Sequence, residues 1–238
     1  MRIALIGYGK MGKAIEAIAI AKGHEIVLKI NDSNLGDFTK GNLDQADVAI
    51  EFTGPHSAYG NIHQLISWGI PTVSGSTGWL DQLETITALN HSTDGSFLYA
   101  SNFSIGVNLF FEMNKKLASL MAVHPEYRLE MTEIHHTEKR DAPSGTAISL
   151  AEQVMDANAG KKQWVNEPSG DHSLVPIISK RIDPAPGTHS VLYTSEIDDI
   201  EIIHTAHNRQ GFASGAVLAA EFIHNRKGHF HMKDVLGF

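Results

Sequence analysis

The sequence predicts an α/β protein in two parts, a parallel sheet flanked by helices and then an α+β unit, and three observations carry that reading. Short β-branched runs alternate with helical stretches up to about residue 101, which is the pattern of βαβ units. A glycine-rich turn, Gly7-Tyr8-Gly9-Lys10-Met11-Gly12, joins the first run to the first helical stretch. Beyond Met121 longer strand-like runs surround a single helical stretch, an α+β texture with antiparallel pairing.

In chain order, the strands expected in the first part are Arg2 to Gly7, His24 to Ile30, Ala46 to Phe52, Pro71 to Ser76 and Ser96 to Ser101. Helices fall near Met11 to Lys22, His56 to Trp68 and Leu80 to Leu89. From Ser104 to Met121 the residues Ile105, Leu109, Met113, Leu117 and Leu120 recur at helical spacing, so a long amphipathic helix leads out of this part. The second part offers strands at Tyr127 to His136, Leu174 to Ile182, His189 to Thr194 and Asp199 to His207, with a helix from Gly145 to Met155. Ala157 to His172, rich in Gly, Lys, Asn, Pro and Ser, has no periodicity and reads as an exposed loop. A last helix spans Ala213 to His224, and His229-Phe230-His231 beyond it reads as a solvated tail.

Composition narrows the function. The 238 residues include 19 Lys+Arg against 27 Asp+Glu, a net charge of -8, which argues against nucleic acid and against a polybasic membrane anchor. An anionic substrate must then be caught by local positive groups. With no cysteine, a disulfide framework, a CxxC zinc site and a thiol nucleophile are all excluded. Lys10, Lys13 and Glu16 interrupt the apolar start, so no signal peptide is expected and the mature chain is read from Met1. No apolar run approaches the roughly 18 residues of a membrane span. A cytoplasmic protein is the expectation.

The glycine turn suits a dinucleotide. Glycines let the chain turn tightly, let backbone approach a pyrophosphate and let the helix pack close to the sheet, while the helix start offers free N–H groups to phosphate. Asp32 follows Gly12 at the expected distance, at the end of the second strand. Asp32 would accept from a ribose 2′-OH, favouring NADH, whereas Lys10 and Lys29 would meet a 2′-phosphate; the sequence leaves both open. Two further turns at strand ends, Glu51-Phe52-Thr53-Gly54 and Gly75-Ser76-Thr77-Gly78, lie where ligands bind in open α/β sheets.

The densest chemistry runs from Glu133 to Ala147, Glu-Ile-His-His-Thr-Glu-Lys-Arg-Asp-Ala-Pro-Ser-Gly-Thr-Ala. A strand ends in His135 and His136, a turn carries Lys139 and Arg140, and Pro143 leads to a helix start at Ser144-Gly145-Thr146. That combination offers proton transfer, a cation for a carboxylate, and helix N–H groups for a second anionic oxygen. A surface turn with a capping serine is the alternative.

At these residues the chain resembles the 4-hydroxy-tetrahydrodipicolinate (dihydrodipicolinate) reductases, nicotinamide-dependent enzymes of lysine and diaminopimelate biosynthesis. Their signature, Glu-x-His-His-x-x-Lys-x-Asp-Ala-Pro-Ser-Gly-Thr-Ala, is reproduced from Glu133 to Ala147, and further matches occur at Gly7 to Gly12, Glu51 to Thr53, Gly75 to Gly78, Ser101 to Ser104 and His207 to Ala216 around Arg209. The resemblance implies a Rossmann-like nucleotide domain, residues 1–103 and 209–238, with an inserted α+β domain, residues 104–208, for substrate and oligomerisation. The inserted domain would carry an open mixed sheet through which family members form homotetramers, and the last helix would pack beside the first strand. His135 is implied as the acid/base and Lys139 as the proton donor. His136, Lys139, Ser144, Gly145, Thr146 and Thr77 would hold a cyclic dicarboxylate. Gly7, Tyr8, Gly9, Lys10, Met11, Gly12, Asn31, Asp32, Phe52, Thr53, Gly75, Ser76, Thr77, Ala100, Ser101, Asn102 and Phe103 would line NADH or NADPH. No metal is expected.

Three departures stand out. Family members often carry Glu where this chain has Asn31-Asp32, the cofactor turn reads Gly-Ser-Thr at 75–77, and Asp183 to Gly187 is unusually proline-rich. Other readings fare worse. A semialdehyde dehydrogenase needs the missing cysteine, no Glu-Lys-Pro segment of a sugar dehydrogenase is present, a DNA-binding redox sensor needs a basic helix-turn-helix, and a zinc hydrolase needs HExxH despite the 14 histidines.

Overall fold

The structure, a computed structural model, describes residues 1–208 and 210–238. Arg209, singled out above and placed at a domain boundary, lies outside the described residues. The chain forms two compact units, Met1–Ile105 with Gln210–Phe238, and Gly106–Arg209.

The first unit contains β1 (Arg2–Ile6), α1 (Lys10–Ala21), β2 (Glu25–Ile30), α2 (Lys40–Leu43), β3 (Val48–Glu51), α3 (Ala58–Ser67), β4 (Thr72–Ser74), α4 (Leu83–Ser92) and β5 (Ser96–Tyr99). The second holds α5 (Ile105–Met121), β6 (Arg128–His135), α6 (Gly145–Ala157), β7 (Gln163–Val165), β8 (Leu174–Arg181), β9 (Gly187–Thr194) and β10 (Asp199–Ala206). The chain returns to the first unit for α7 (Gln210–Ile223), β11 (Gly228–Phe230) and α8 (Met232–Leu236).

In the first unit every strand pair is parallel and the order is β11-β5-β4-β3-β1-β2. Such a sheet is covered on both faces, so its strands read as continuous apolar runs. Alternation along β1 divides the faces: Ile3 and Leu5 join the core under α1 and α7, while Ala4 and Ile6 join Leu43, Ala49 and Leu65 on the other side. The chain runs outward from β1 to β2 and then returns to the opposite side of β1 for β3. That reversal opens a crevice beyond the carboxyl ends of the strands.

The second sheet is mixed. In the order β10-β9-β6-β8-β7, the first two pairings are antiparallel, and β6 with β8 and β8 with β7 are parallel. Leu129 and Met131 of β6, Val175 and Ile177 of β8 and Val191 and Tyr193 of β9 pack against Ala147, Leu150, Ala151 and Val154 of α6 and Phe110 and Ala118 of α5. The alternate residues Glu130, Thr132, Ser190 and Leu192 stay outside this core, so the opposite face of the sheet is open.

The second sheet is mixed, as the resemblance implied, because α6 carries the chain back to lay β8 parallel to β6. Two expectations need correction. The loop expected at Ala157 to His172 contains β7, a short edge strand held by backbone pairing to β8 and only half-buried. His229-Phe230-His231 is not a solvated tail: β11 adds to the sheet beside β5, His229 lies 5.2 Å from the Phe97 ring, and Met232 is buried. Polar side chains conceal a strand whose stabilisation comes from the backbone. The last helix packs along α1 and over β3, β4 and β5, and joins β1 in the shared core at Ile3 and Leu5.

Candidate active site

The glycine turn lies at the carboxyl end of β1. Gly7 takes φ +96°, and a Cβ there would sit 2.1 Å from the Phe52 carbonyl oxygen, so the position requires glycine. The Gly7 and Tyr8 amides donate to the Ile30 carbonyl (3.0 and 2.8 Å), and the first bond into α1 runs from Lys13 N–H to Gly9 C=O. The amides of Lys10, Met11 and Gly12 therefore have no acceptor within the helix.

A cavity of about 620 Å³ opens in front of this turn, lined by Gly7, Tyr8, Gly9, Asn31, Asp32, Phe52 and Thr53 among others. The remaining expected cofactor residues differ in what they present. Lys10 is exposed and Met11 packs against the core. Asn31 Oδ1 accepts from the Ser33 amide and hydroxyl, which leaves Asp32 as the exposed member of the pair. Lys29 ion-pairs with Glu16 at 2.5 Å and lies 5.0 Å over the Tyr8 ring. Gly75 faces the Phe52 ring and Thr77 is exposed on the turn after β4. Phe103 is buried 5.5 Å from Phe52. Ala100, Ser101 and Asn102 follow β5, where Asn102 Oδ1 accepts from the Ser104 amide.

Sequence reading placed Glu51 in a strand-end turn of this unit but missed its role as an anchor. Fully buried, it accepts from the Thr53 amide and hydroxyl and the Ser76 hydroxyl on Oε1, and from the Ser74 hydroxyl on Oε2 at 2.6 Å. One carboxylate thus ties the turn after β3 to the turn after β4. Ser76, expected at the cofactor, spends its side chain on this anchor. A strand-end glutamate amid apolar neighbours was the available signal.

In the second unit, the segment Glu133 to Ala147 folds as the end of β6, a turn and the start of α6. His135 is buried and His136 half-buried; the His136 amide donates to the Ala185 carbonyl, and Asp183 accepts from the Thr137 amide and hydroxyl. The proline-rich stretch with no sequence-level account is thus the brace behind the histidine turn. Lys139 Nζ ion-pairs with Asp141, which holds the Asp141 carboxyl below the usual carboxylate range. Ser144 caps α6 through the Ala147 amide, and its Oγ also lies 3.1 Å from His189 Nε2. Its hydroxyl is turned inward, while the Gly145 and Thr146 amides of the first turn have no helical acceptor.

Glu133 sits beneath the histidines with no exposure at all. Its Oε2 is 3.0 Å from His135 Nδ1 and its Oε1 accepts from Arg181 Nη2 at 3.0 Å. Burial acts to raise its carboxyl, but the surrounding His135, Ser144, Ser179 and Arg181 outweigh burial and hold it well below the usual range. Burial, with the nearby charge of His135, pushes His189 down to about 4. Glu133, His135 and His189 bring three ligand-type atoms within 4.8 Å of one another, the one such group among the described residues. The Arg181 guanidinium holds Oε1 of Glu133, and the Ser144 hydroxyl lies against His189 Nε2.

Residues 1–103 match the family model "Dihydrodipicolinate reductase, N-terminus", and residues 106–236 match "Dihydrodipicolinate reductase, C-terminus". The chain belongs to the dihydrodipicolinate reductase family. A 4-hydroxy-tetrahydrodipicolinate reductase of Christiangramia forsetii is 48% identical over 99% of this chain and 98% of its own length. One of Methanosarcina acetivorans is 34% identical over 99% of this chain and 89% of its own. Among solved structures, a dipicolinate-bound dihydrodipicolinate reductase from Paenisporosarcina sp. TG-14 superposes with TM-score 0.78 at 25% identity, covering 97% of both chains. A probable dehydrogenase from Thermotoga maritima, TM-score 0.59 at 10% identity, shares the fold alone. The family's two halves thus meet at residues 103 and 106, where the first unit gives way to the second.

Proposed function

We propose that this family member reduces 4-hydroxy-tetrahydrodipicolinate to tetrahydrodipicolinate at the expense of a reduced nicotinamide dinucleotide. One observation carries the reading: the signature segment gathers an imidazole on a buried carboxylate, an ammonium and the unpaired amides of a helix start within one strand–turn–helix unit. The full-length relatives named for this reaction support it.

The chemistry balances as loss of the 4-hydroxyl as water, hydride addition at ring carbon 4 and proton addition at the adjacent carbon. Substrate, NAD(P)H and one proton give tetrahydrodipicolinate, NAD(P)⁺ and water. The nicotinamide, when bound, supplies the hydride. The helix start at Lys10 to Gly12 and the turns carrying Asn31, Asp32, Phe52, Thr53, Gly75 to Thr77 and Ala100 to Phe103 would hold the dinucleotide.

His135 handles the proton. Lys139 pairs with one substrate carboxylate and also donates a proton, while the Gly145 and Thr146 amides take the second carboxylate with His136. Ser144 contributes through the helix cap rather than through a free hydroxyl. Asp32 faces the cavity while Lys29 is committed to Glu16, which favours NADH over NADPH. The open face of the second sheet supports self-association as a homotetramer.

The decisive assay follows NADH and NADPH consumption separately, with dihydrodipicolinate synthase generating substrate in the cuvette. Oxidation of neither cofactor under these conditions would refute the proposed activity. Among the described residues no helix is long and apolar enough to cross a membrane.

A further inference from the structure

We infer that Glu133 and Arg181 are a positioning pair that sets the His135 imidazole and the Lys139 turn as one unit. The inference rests on the proposed roles of His135 and Lys139.

The pairing follows from sheet register. β6 and β8 run parallel with His135 opposite Arg181 and Glu133 opposite Ser179. Glu133 and His135 share the buried face of β6, so Arg181 reaches diagonally back to the carboxylate. Its Nη2 donates to Glu133 Oε1 at 3.0 Å and to the Asp141 carbonyl at 2.5 Å, and its Nε donates to the Lys139 carbonyl at 3.3 Å. One rigid guanidinium therefore joins the buried carboxylate to the backbone on both sides of Arg140. A lysine has no comparable fork.

On the other arm, Glu133 Oε2 lies 3.0 Å from His135 Nδ1. The negative charge of the carboxylate beside that nitrogen favours the tautomer that bears its proton on Nδ1 and leaves Nε2 to exchange protons. The ring's far edge is limited by Gly187: at φ +156°, a Cβ there would come within 3.1 Å of Nε2 and 3.4 Å of Cδ2. Glycine gives the ring its room, and the carboxylate fixes which nitrogen faces it. An ionised carboxylate without exposure is costly unless paired, and here its partners are the two groups that lead to His135 and Lys139.

The test uses the full-length enzyme with enzymatically generated substrate. Glu133→Gln keeps the shape and removes the charge; it is expected to lower kcat by about 10²-fold, leave KM within about threefold, and enlarge the solvent deuterium isotope effect on kcat. Arg181→Lys is expected to lower kcat and also raise KM, because the Lys139 turn loses its tie. A merely structural pair would lower the folded fraction without moving the isotope effect, and that result overturns the inference, as does kcat within threefold of wild type in Glu133→Gln. Should Glu133→Gln fail to fold, ring ¹⁵N shifts of His135 in the wild type decide: protonation on Nδ1 supports the pair and protonation on Nε2 overturns it. His135→Gln and Lys139→Ala run alongside. If both retain turnover, the underlying reading fails and the inference with it; if both are crippled while Glu133→Gln is not, only the positioning role fails.

Discussion

Lys139 Nζ lies 2.8 and 2.7 Å from the two carboxylate oxygens of Asp141, so the cation expected to meet the substrate is already paired within its own turn. Asp141 is largely exposed, and a pair of this kind is worth at most about 1 kcal/mol. Substrate can therefore displace it at little cost. Lys139→Ala should lose most of kcat and raise KM, because charge and proton leave together. Lys139→Arg should not restore kcat, since guanidinium keeps its proton at working pH. Asp141→Asn should lower KM by no more than about fivefold. Steady-state kinetics of the three variants check all three statements, and full rescue by arginine would place the acid elsewhere.

Gly12 offers a test of the cofactor turn. A Cβ at this position would stand 2.7 Å from the Gly7 carbonyl oxygen, so the conflict is with the turn itself rather than with the sheet behind the helix. Gly12→Val should weaken NADH and NADPH binding by well over tenfold, with the far-ultraviolet circular dichroism retained. Unchanged affinity by calorimetry would remove the turn from the cofactor site.

Cofactor choice should turn on Asp32. With Lys29 held by Glu16 at 2.5 Å, an exposed carboxylate at 32 repels a 2′-phosphate. The wild type should bind NADH more tightly than NADPH. Asp32→Ala should weaken NADH selectively, and Asp32→Arg should shift the Kd ratio toward NADPH by at least about tenfold, or about 1.4 kcal/mol. Equal ratios in wild type and both variants would assign the ribose contact to the backbone or Asn31.

His189 makes stability depend on pH. An ordinary histidine titrates near 6.5 in the unfolded chain, and the buried one titrates at about 4, lowered by burial and by His135, His204 and Lys139 against the opposing pull of Glu133. Between those values only the unfolded chain takes up the proton. The contribution is complete above about pH 6.5 and is lost as pH falls toward about 4, on the order of 3 kcal/mol. His204 and His229, also lowered by burial, add slope in the same direction. His189→Gln should flatten the decline in urea-unfolding free energy between pH 6.5 and 4, and an unchanged slope would mean that His189 is charged in the fold.

Assembly is testable at the uncovered face of the second sheet. Ile203 on the edge strand β10 is 58% exposed. Sedimentation should show a species larger than the 26.0 kDa monomer, and Ile203→Lys should shift it toward monomer. A strict monomer in the wild type at micromolar concentration rules the assembly out.

The parts legible from sequence were those that periodicity or a contiguous motif encodes. The β1 strand, the glycine turn after it and the helix from Ile105 all follow from local patterns. Less legible were features settled by distant partners. Arg181 stands 48 residues from Glu133, and only the parallel register of β6 and β8 brings them together. Ser76 and Ser144 read as ligand hydroxyls but turn toward Glu51 and His189, because a hydroxyl near a buried acceptor is captured by it. β7 and β11 escaped because backbone pairing leaves little trace in side-chain chemistry.

The placement of β11 bears on how the chain matures as it leaves the ribosome. Ala213, Ala216, Val217 and Ala220 of α7 share one core with Ile3, Leu5 and Ile15, and β11 occupies the sheet edge beside β5. The first unit therefore lacks part of its interior and one edge strand until the last stretch has emerged. The intervening unit, contiguous in sequence, meets no such delay and can organise first. Until synthesis ends, the edge of β5 and the apolar surface under α7 stay open, and this interval is when a nascent copy is most prone to pair with another.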